Sequence, residues 1–235
     1  MFERDIVILA NSLRMGGHCL AGKDLHTGEW IRPINTINPK RPDPSAFRNY
    51  DLLKLYGNES GPQLFDCVRI GFKKKCPTKC QPENFFIDQN PWKPLEPFQR
   101  DKIPELVDEP PFMWLGQKDT MSPAPDRISQ ERVNKQPIDS SLIFMKLEPS
   151  KNEMKFIPDT DYHHRSRKRM QFLYGGKRYS LVVKDIHHLN PLEKGIKEKP
   201  VPECYVTIGL TELHKETNGH YKLIVGLIPS RLVKK

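Results

Sequence analysis

RMGGHCLAGKDLHTGEWIRPI, residues 14–34, decides how the chain is read. The segment HCLAGKDL alternates apolar and polar positions and then meets HTG, a short turn closed by Gly28. EWIRPI follows as a second strand, ended by Pro33. A proline removes a ladder donor and punctuates a strand. The stretch therefore predicts a β-hairpin with a three-residue loop, a type that places glycine at the left-handed position. It also carries a cysteine. His18 and Leu20 flank Cys19, so if Leu20 faces the core Cys19 faces out, and if Cys19 faces in it is packing.

Strands continue on both sides of this hairpin. The run IVILA at residues 6–10 precedes it, and CVRIGF at 67–72 follows. SLIFMKL (141–147) and MKFIP (154–158) read as one pair. MQFLYGGKRYSLVVKD (170–185) is a hairpin, with Gly175-Gly176 supplying the positive φ angles of a primed turn. CYVTIGL (204–210) and HYKLIVGLI (220–228) make a last pair around Thr217-Asn218-Gly219. No amphipathic helix longer than about three turns is evident.

Between residues 77 and 137 lie eleven of the chain's 22 prolines. Long regular elements are disfavoured there. The segment nevertheless holds Phe85, Phe86, Trp92, Phe98, Phe112, Trp114 and Leu115. Disordered segments are poor in aromatics, so it reads as an ordered excursion with short helices near 99–107.

The 235 residues suffice for one large or two small domains, and 37 % hydrophobic with 29 % charged residues indicates a soluble globular chain. No apolar run approaches a membrane span. The first residues are charged and the apolar run after them is short, so no export signal is expected and a cytoplasmic location is. A net charge of +9 points to an anionic partner, with nucleic acid the common one. Five cysteines, at 19, 67, 76, 80 and 204, argue against a disulfide framework in such a chain. Cys76 and Cys80 are spaced C-x3-C, an incomplete ligand set for zinc, so neither metal nor cofactor is expected.

IVILANSLRMGGHCLAGKDLHTGEWIRPI near the start resembles the opening of the dual OB-containing domain family. YSLVVKD and CYVTIGLTE…GHYKLIVGLI resemble its closing strands. The resemblance implies a mainly β protein with two OB-like barrels in tandem. The first takes residues 1–76, a long proline-rich insertion 77–137, and the second 138–235. It further implies a part in bacterial systems that handle or mark nucleic acid, DNA above all, during conflict with phage. One branch accompanies the insertion of 7-deazaguanine bases, and other proteins of such a system would then be partners.

OB barrels bind oligonucleotides with aromatic rings and a basic groove. HHRSRKR (163–169) has four basic residues in its last five positions, Arg165, Arg167, Lys168 and Arg169. Its bland reading is a solvated loop. Trp30 and Arg32 alternate onto one strand face, as a stacking ring and a phosphate fork would, or Trp30 is core. Lys184, Tyr221 and Lys222 sit at strand ends. Cys19 has Arg14, His18 and Lys23 close in sequence, and cations lower a thiol's pKa. Gly16 and Gly17 let backbone approach a ligand. Asn11 and Ser12 either cap a turn or line the same pocket. A Cys19 thiolate would capture a nitrile on a deazaguanine as a thioimidate, which water would release as an amide, with Asp185 moving protons. The competing reading is a small buried filler. A protein-interaction adaptor is a third possibility. No P-loop, dinucleotide fingerprint, HExxH or GxSxG is present, which argues against nucleotide hydrolysis and the common protease and esterase chemistries.

Overall fold

In the computed structural model of the chain, which describes residues 1–35, 46–114 and 126–232, the strand Phe2–Arg14 (β1) is used twice. After it come β2 (Gly17–Asp24), β3 (Trp30–Ile34), a helix α1 (Asn49–Tyr56), β4 (Cys67–Lys75), β5 (Asn84–Ile87) and the two-residue β6 (Lys93–Pro94). Residues 2–7 of β1 pair with β4, and residues 6–14 pair with β2. A register shift between Ile8 and Ala10 marks a bulge that bends the strand between its two partners. Gly22 makes the close crossing possible. A Cβ there would lie 2.0 Å from the Val7 carbonyl oxygen.

The pairings run β1-β2-β3-β5-β4 and back to β1, a closed five-stranded barrel with β3 and β5 parallel. Ile6, Ile8, Leu20, Ile31, Val68 and Phe72 fill it, and Leu52 and Leu55 of α1 plug it. The expected hairpin is β2–β3, with a longer loop, residues 25–29, that carries Gly28 at φ +72°. β3 also continues through Pro33 to Ile34. β2 pairs with β3 only at Trp30 and Ile31, so no neighbour on that side needs an N–H from residue 33.

The chain divides into two compact units, Met1–Leu106 and Val107–Lys235. β5 lies inside the proline-rich segment, so the first barrel extends past residue 76. Phe85 and Trp92 of that segment are buried in the first core, and Arg100–Leu106 is a 3-10 helix where short helices were expected. Further along, Met113 and Trp114 pack on the second core, while Leu115 lies outside the described residues.

The second unit contains β7 (Arg127–Ser129), α2 (Gln130–Lys135), β8 (Leu142–Leu147), a one-turn α3 (Pro149–Asn152), β9 (Lys155–Thr160), β10 (Ser166–Tyr174), β11 (Lys177–Val183), β12 (Lys199–Pro200), β13 (Cys204–Leu210) and β14 (Gly219–Pro229). Its sheet runs β12-β9-β10-β11-β14-β13-β8, with β11 and β14 parallel. From β9 to β8 this repeats the first unit's pairing order, provided β8 and β9 are counted as two halves of one strand. The two segments expected to pair with each other therefore do not. β8 pairs with β13 and β9 with β10. Pro149 opens α3 and Glu153 takes φ +46°, so the chain turns between them. The hairpins β10–β11 and β13–β14 are as expected. Gly175 and Gly176 have φ +54° and +72°, and the Phe172 and Tyr179 rings stack across β10–β11 at 5.6 Å.

Candidate nucleic-acid interface

OB-type domains bind strands on the outer face of their second and third staves, between the first-to-second and fourth-to-fifth loops. In the first unit those staves are β2 and β3. Leu20 is core, so alternation turns Cys19, Ala21 and Lys23 outward together with Trp30 and Arg32. Most of this face is engaged within the unit. Lys23 Nζ donates to the Leu106 carbonyl (2.8 Å) and lies 5.5 Å from the centre of the Trp30 ring. Lys23 and Trp30 are both buried. Arg32 pairs with the buried Glu83 carboxylate at 3.1 Å. Trp30 and Arg32 do share a face, but neither is presented as an open ring or an open fork.

Asn11 and Ser12 are buried. The Asn11 amide donates to the carbonyls of Ser60 and Pro62, and its oxygen meets His18 Nδ1 at 3.0 Å. Burial lowers the His18 pKa, and its ring points to the side opposite Cys19. Gly17 is buried beneath Ala46 and Phe47. Arg14, opposite Gly17, and Cys19, opposite Ser12, keep partial exposure.

In the second unit the corresponding staves are β10 and β11. Met170 and Phe172 are core, so Lys168 also turns inward, its Nζ 5.1 Å from the centre of the Phe156 ring. Burial lowers its pKa. Arg167 and Arg169 turn outward. Both donate through Nε to one oxygen of Asp159, at 2.5 and 3.0 Å, and Arg169 also donates to the Ser180 carbonyl. Lys184 follows the last residue of β11 and is half-buried. Its pKa is lowered first by burial and then by the positive charges of Arg167 and Arg165. Arg165, Arg167 and Lys184 thus form a positive cluster despite the nearby carboxylates.

The β9–β10 loop, residues 161–165, stands beside this cluster. The Asp161 carboxylate accepts from the amides of His163 and Arg165, both at 2.9 Å, and from Arg165 Nε at 2.7 Å. These bonds hold its pKa down at about 2. The loop so braced presents Tyr162 with 94 % of its surface exposed, the His163 ring edge-on at 5.5 Å. Tyr221 on β14 is half-buried, and its ring meets that of His214 at 5.6 Å. Lys222 faces inward, buried, with Nζ 5.3 Å from the centre of the Tyr179 ring.

The two units are thus built on one strand order, and one family model matches residues 4–227. The chain belongs to the dual OB-containing domain family. Searches of curated proteins and of solved structures returned no match. Paired OB domains point to nucleic acid as the ligand class.

The remaining expected site residues of this dual-OB chain are structural or scattered. Asp185 has no exposed surface. Its oxygens accept from the amides of His187 (2.9 Å) and Leu227 (3.2 Å), which joins the end of β11 to β14. Burial pushes its pKa up to about 6. Cys76 and buried Cys80 lie in the β4–β5 loop, and no group of three or more metal-ligating side chains occurs among the described residues. No helix among them is long and apolar enough to cross a membrane. Tyr162, Asp159, Asp161 and His214 are absent from the sequence reading. The signal for three of them was DTDYHHR at 159–165, with acids at alternate positions opposite arginines across a tight turn.

Proposed function

We propose that this dual-OB chain binds nucleic acid through the outer face of β10–β11 and the β9–β10 loop. Tyr162 is the stacking ring, and Arg165, Arg167 and Lys184 are the phosphate contacts. The observation that carries the reading is the nearly fully exposed Tyr162, on the loop braced by Asp161 next to Lys184, whose pKa is lowered first by burial and then by the positive charges of Arg167 and Arg165. An anion would relieve that repulsion. Base stacking on an aromatic contributes about 1–3 kcal/mol per base. Tyr162→Ala, which removes no buried contact, is therefore expected to weaken binding of a single-stranded probe by about 5- to 150-fold. Fluorescence anisotropy with single-stranded DNA, duplex DNA and RNA at two salt concentrations makes the test. No binding of the wild-type chain to any probe at low salt removes the reading.

DNA as the natural strand, and a place in a bacterial modification or phage-conflict system, rest on the family alone. Comparing probes with and without a 7-deazaguanine tests that finer reading. A catalytic alternative draws on one observation, the outward and partly exposed Cys19 opposite core Leu20. Its thiol would add across a nitrile to form a thioimidate, and water would then expel the thiol and leave the amide. Asp185 has no surface with which to meet a substrate, so it is left out of that step. Intact-mass detection of a covalent adduct with a nitrile-bearing deazaguanine, absent in Cys19→Ser, would support it. Equal turnover in both proteins would end it.

A further inference from the structure

The segment DTDYHHR, residues 159–165, holds two aspartates that the fold uses differently. Asp159 lies in β9, whose backbone is fixed by its ladder with β10. That ladder stops at the pair Thr160 and Ser166. Asp161 is the first residue beyond it. There the chain turns, with the Asp161 amide donating to the Arg165 carbonyl and the His164 amide to the Asp161 carbonyl, both at 3.0 Å.

The Asp161 side chain closes the same turn from within. One carboxylate oxygen accepts from the amides on either side of His164, those of His163 and Arg165, and the other accepts from Arg165 Nε. His164 itself has φ +58°, a conformation uncommon outside glycine. The flanking amides are thus held by a carboxylate and not by a neighbouring strand. Tyr162 sits inside this turn, its ring in water and edge-on to His163. An exposed ring has no packing to fix it, so its place depends on the backbone that carries it. The bond to Arg165 is made at Nε, so it does not occupy the terminal nitrogens that form a fork on phosphate.

We infer that Asp161 is a positioning residue of the proposed interface, whose carboxylate raises affinity for a nucleic-acid strand by holding Tyr162 where a base stacks. The inference rests on the proposed function and adds a residue that acts through Tyr162 without touching the strand. A carboxylate that only competed for the arginines would weaken binding. One that holds a loop in its bound conformation removes an ordering cost from the binding step. Ordering about one backbone residue corresponds to about tenfold in affinity.

The experiment measures affinity at low salt for a fluorescein-labelled oligothymidylate of about 20 nucleotides, read by anisotropy. It compares the wild-type chain, Asp161→Ala, Asp161→Asn, and each of these changes combined with Tyr162→Ala. Both substitutions remove the charge, but the asparagine oxygen still accepts from the two amides. Asp161→Ala is expected to bind about tenfold more weakly than wild type, and Asp161→Asn at least as tightly as wild type. In the Tyr162→Ala background the gap between the two is expected to close to within about twofold, since the ring they position is gone. A loss caused by general loosening of the second unit would persist there. Hydrogen exchange at the His163 and Arg165 amides should quicken in Asp161→Ala and not in Asp161→Asn. Binding by Asp161→Ala as tight as wild type or tighter overturns the inference and leaves the proposed function standing. So does an equal weakening in Asp161→Asn, or a gap that survives in Tyr162→Ala. No binding by the wild-type chain removes both.

Discussion

The two units meet the same requirement in different ways. In the first, one strand serves both β2 and β4, bent by a bulge at Leu9. In the second, the same two duties fall to β8 and β9, which are separated by α3. A bulge keeps the strand continuous and demands close crossing, so the first unit depends on single backbone positions. A turn relaxes that demand, so the second unit depends on side-chain hydrogen bonds that hold the turn in place.

The largest expected effect tests the crossing. Gly22→Val puts a side chain where even a Cβ would meet the Val7 oxygen at 2.0 Å. Backbone cannot yield as a side-chain tip can, so a loss of at least about 3 kcal/mol is expected in a denaturant titration. A loss under about 1 kcal/mol would show that β1 can part from β2 locally.

Acidity tests the second unit next. Asp185 has a folded pKa near 6 against an ordinary 3.8. The folded state therefore holds its proton more tightly than the unfolded state does. This contribution to stability is fully present below about pH 4, falls as pH rises to about 6, and is level above that. Asp185→Asn is expected to flatten that window in denaturant midpoints taken across pH. An unchanged profile would assign the slope to other groups.

The turn between β8 and β9 gives a smaller effect. Asn152 accepts from the Glu148 amide (2.7 Å) and donates to the Leu173 carbonyl (2.8 Å). Asn152→Ala is expected to cost about 1–2 kcal/mol by thermal or denaturant melting. A neutral result would mean that Pro149 and the left-handed Glu153 suffice.

The smallest effect has the opposite sign. Asp159→Asn releases Arg167 and Arg169 from their shared carboxylate. If β10–β11 meets phosphates, affinity for a single-stranded probe rises by about threefold to tenfold, the equivalent of about one charge contact at low salt. A fall in affinity would mean that Asp159 positions the arginines and does not compete for them.

Local signals carried the hairpins. Gly175-Gly176 and the alternating residues around it specified β10–β11 within a few positions, and β2–β3 was legible in the same way. Distant pairings were not. MKFIP has no feature that prefers β10 over the preceding SLIFMKL, since apolar alternation fits either neighbour. β5 was hidden because its four residues lie among prolines and read as irregular chain. At the candidate interface the basic run 165–169 was visible, but its division into inward Lys168 and outward arginines needed the core register. The seclusion of Lys23 and Trp30 depends on the Leu106 carbonyl, far away in sequence. No pattern local to residues 14–34 announces it.

The parallel seams join parts of the chain that are far apart in sequence. α1 and β4 lie between β3 and β5, and β12 and β13 lie between β11 and β14. Neighbouring hairpins can zip early, because their ends are already close together. Each seam must wait for a long loop to close, and contacts of high sequence separation slow folding. Refolding is therefore expected to show the β10–β11 amides protected from hydrogen exchange before those of β14 that face β11. In the native protein, the seam should be where slow exchange is first lost on warming.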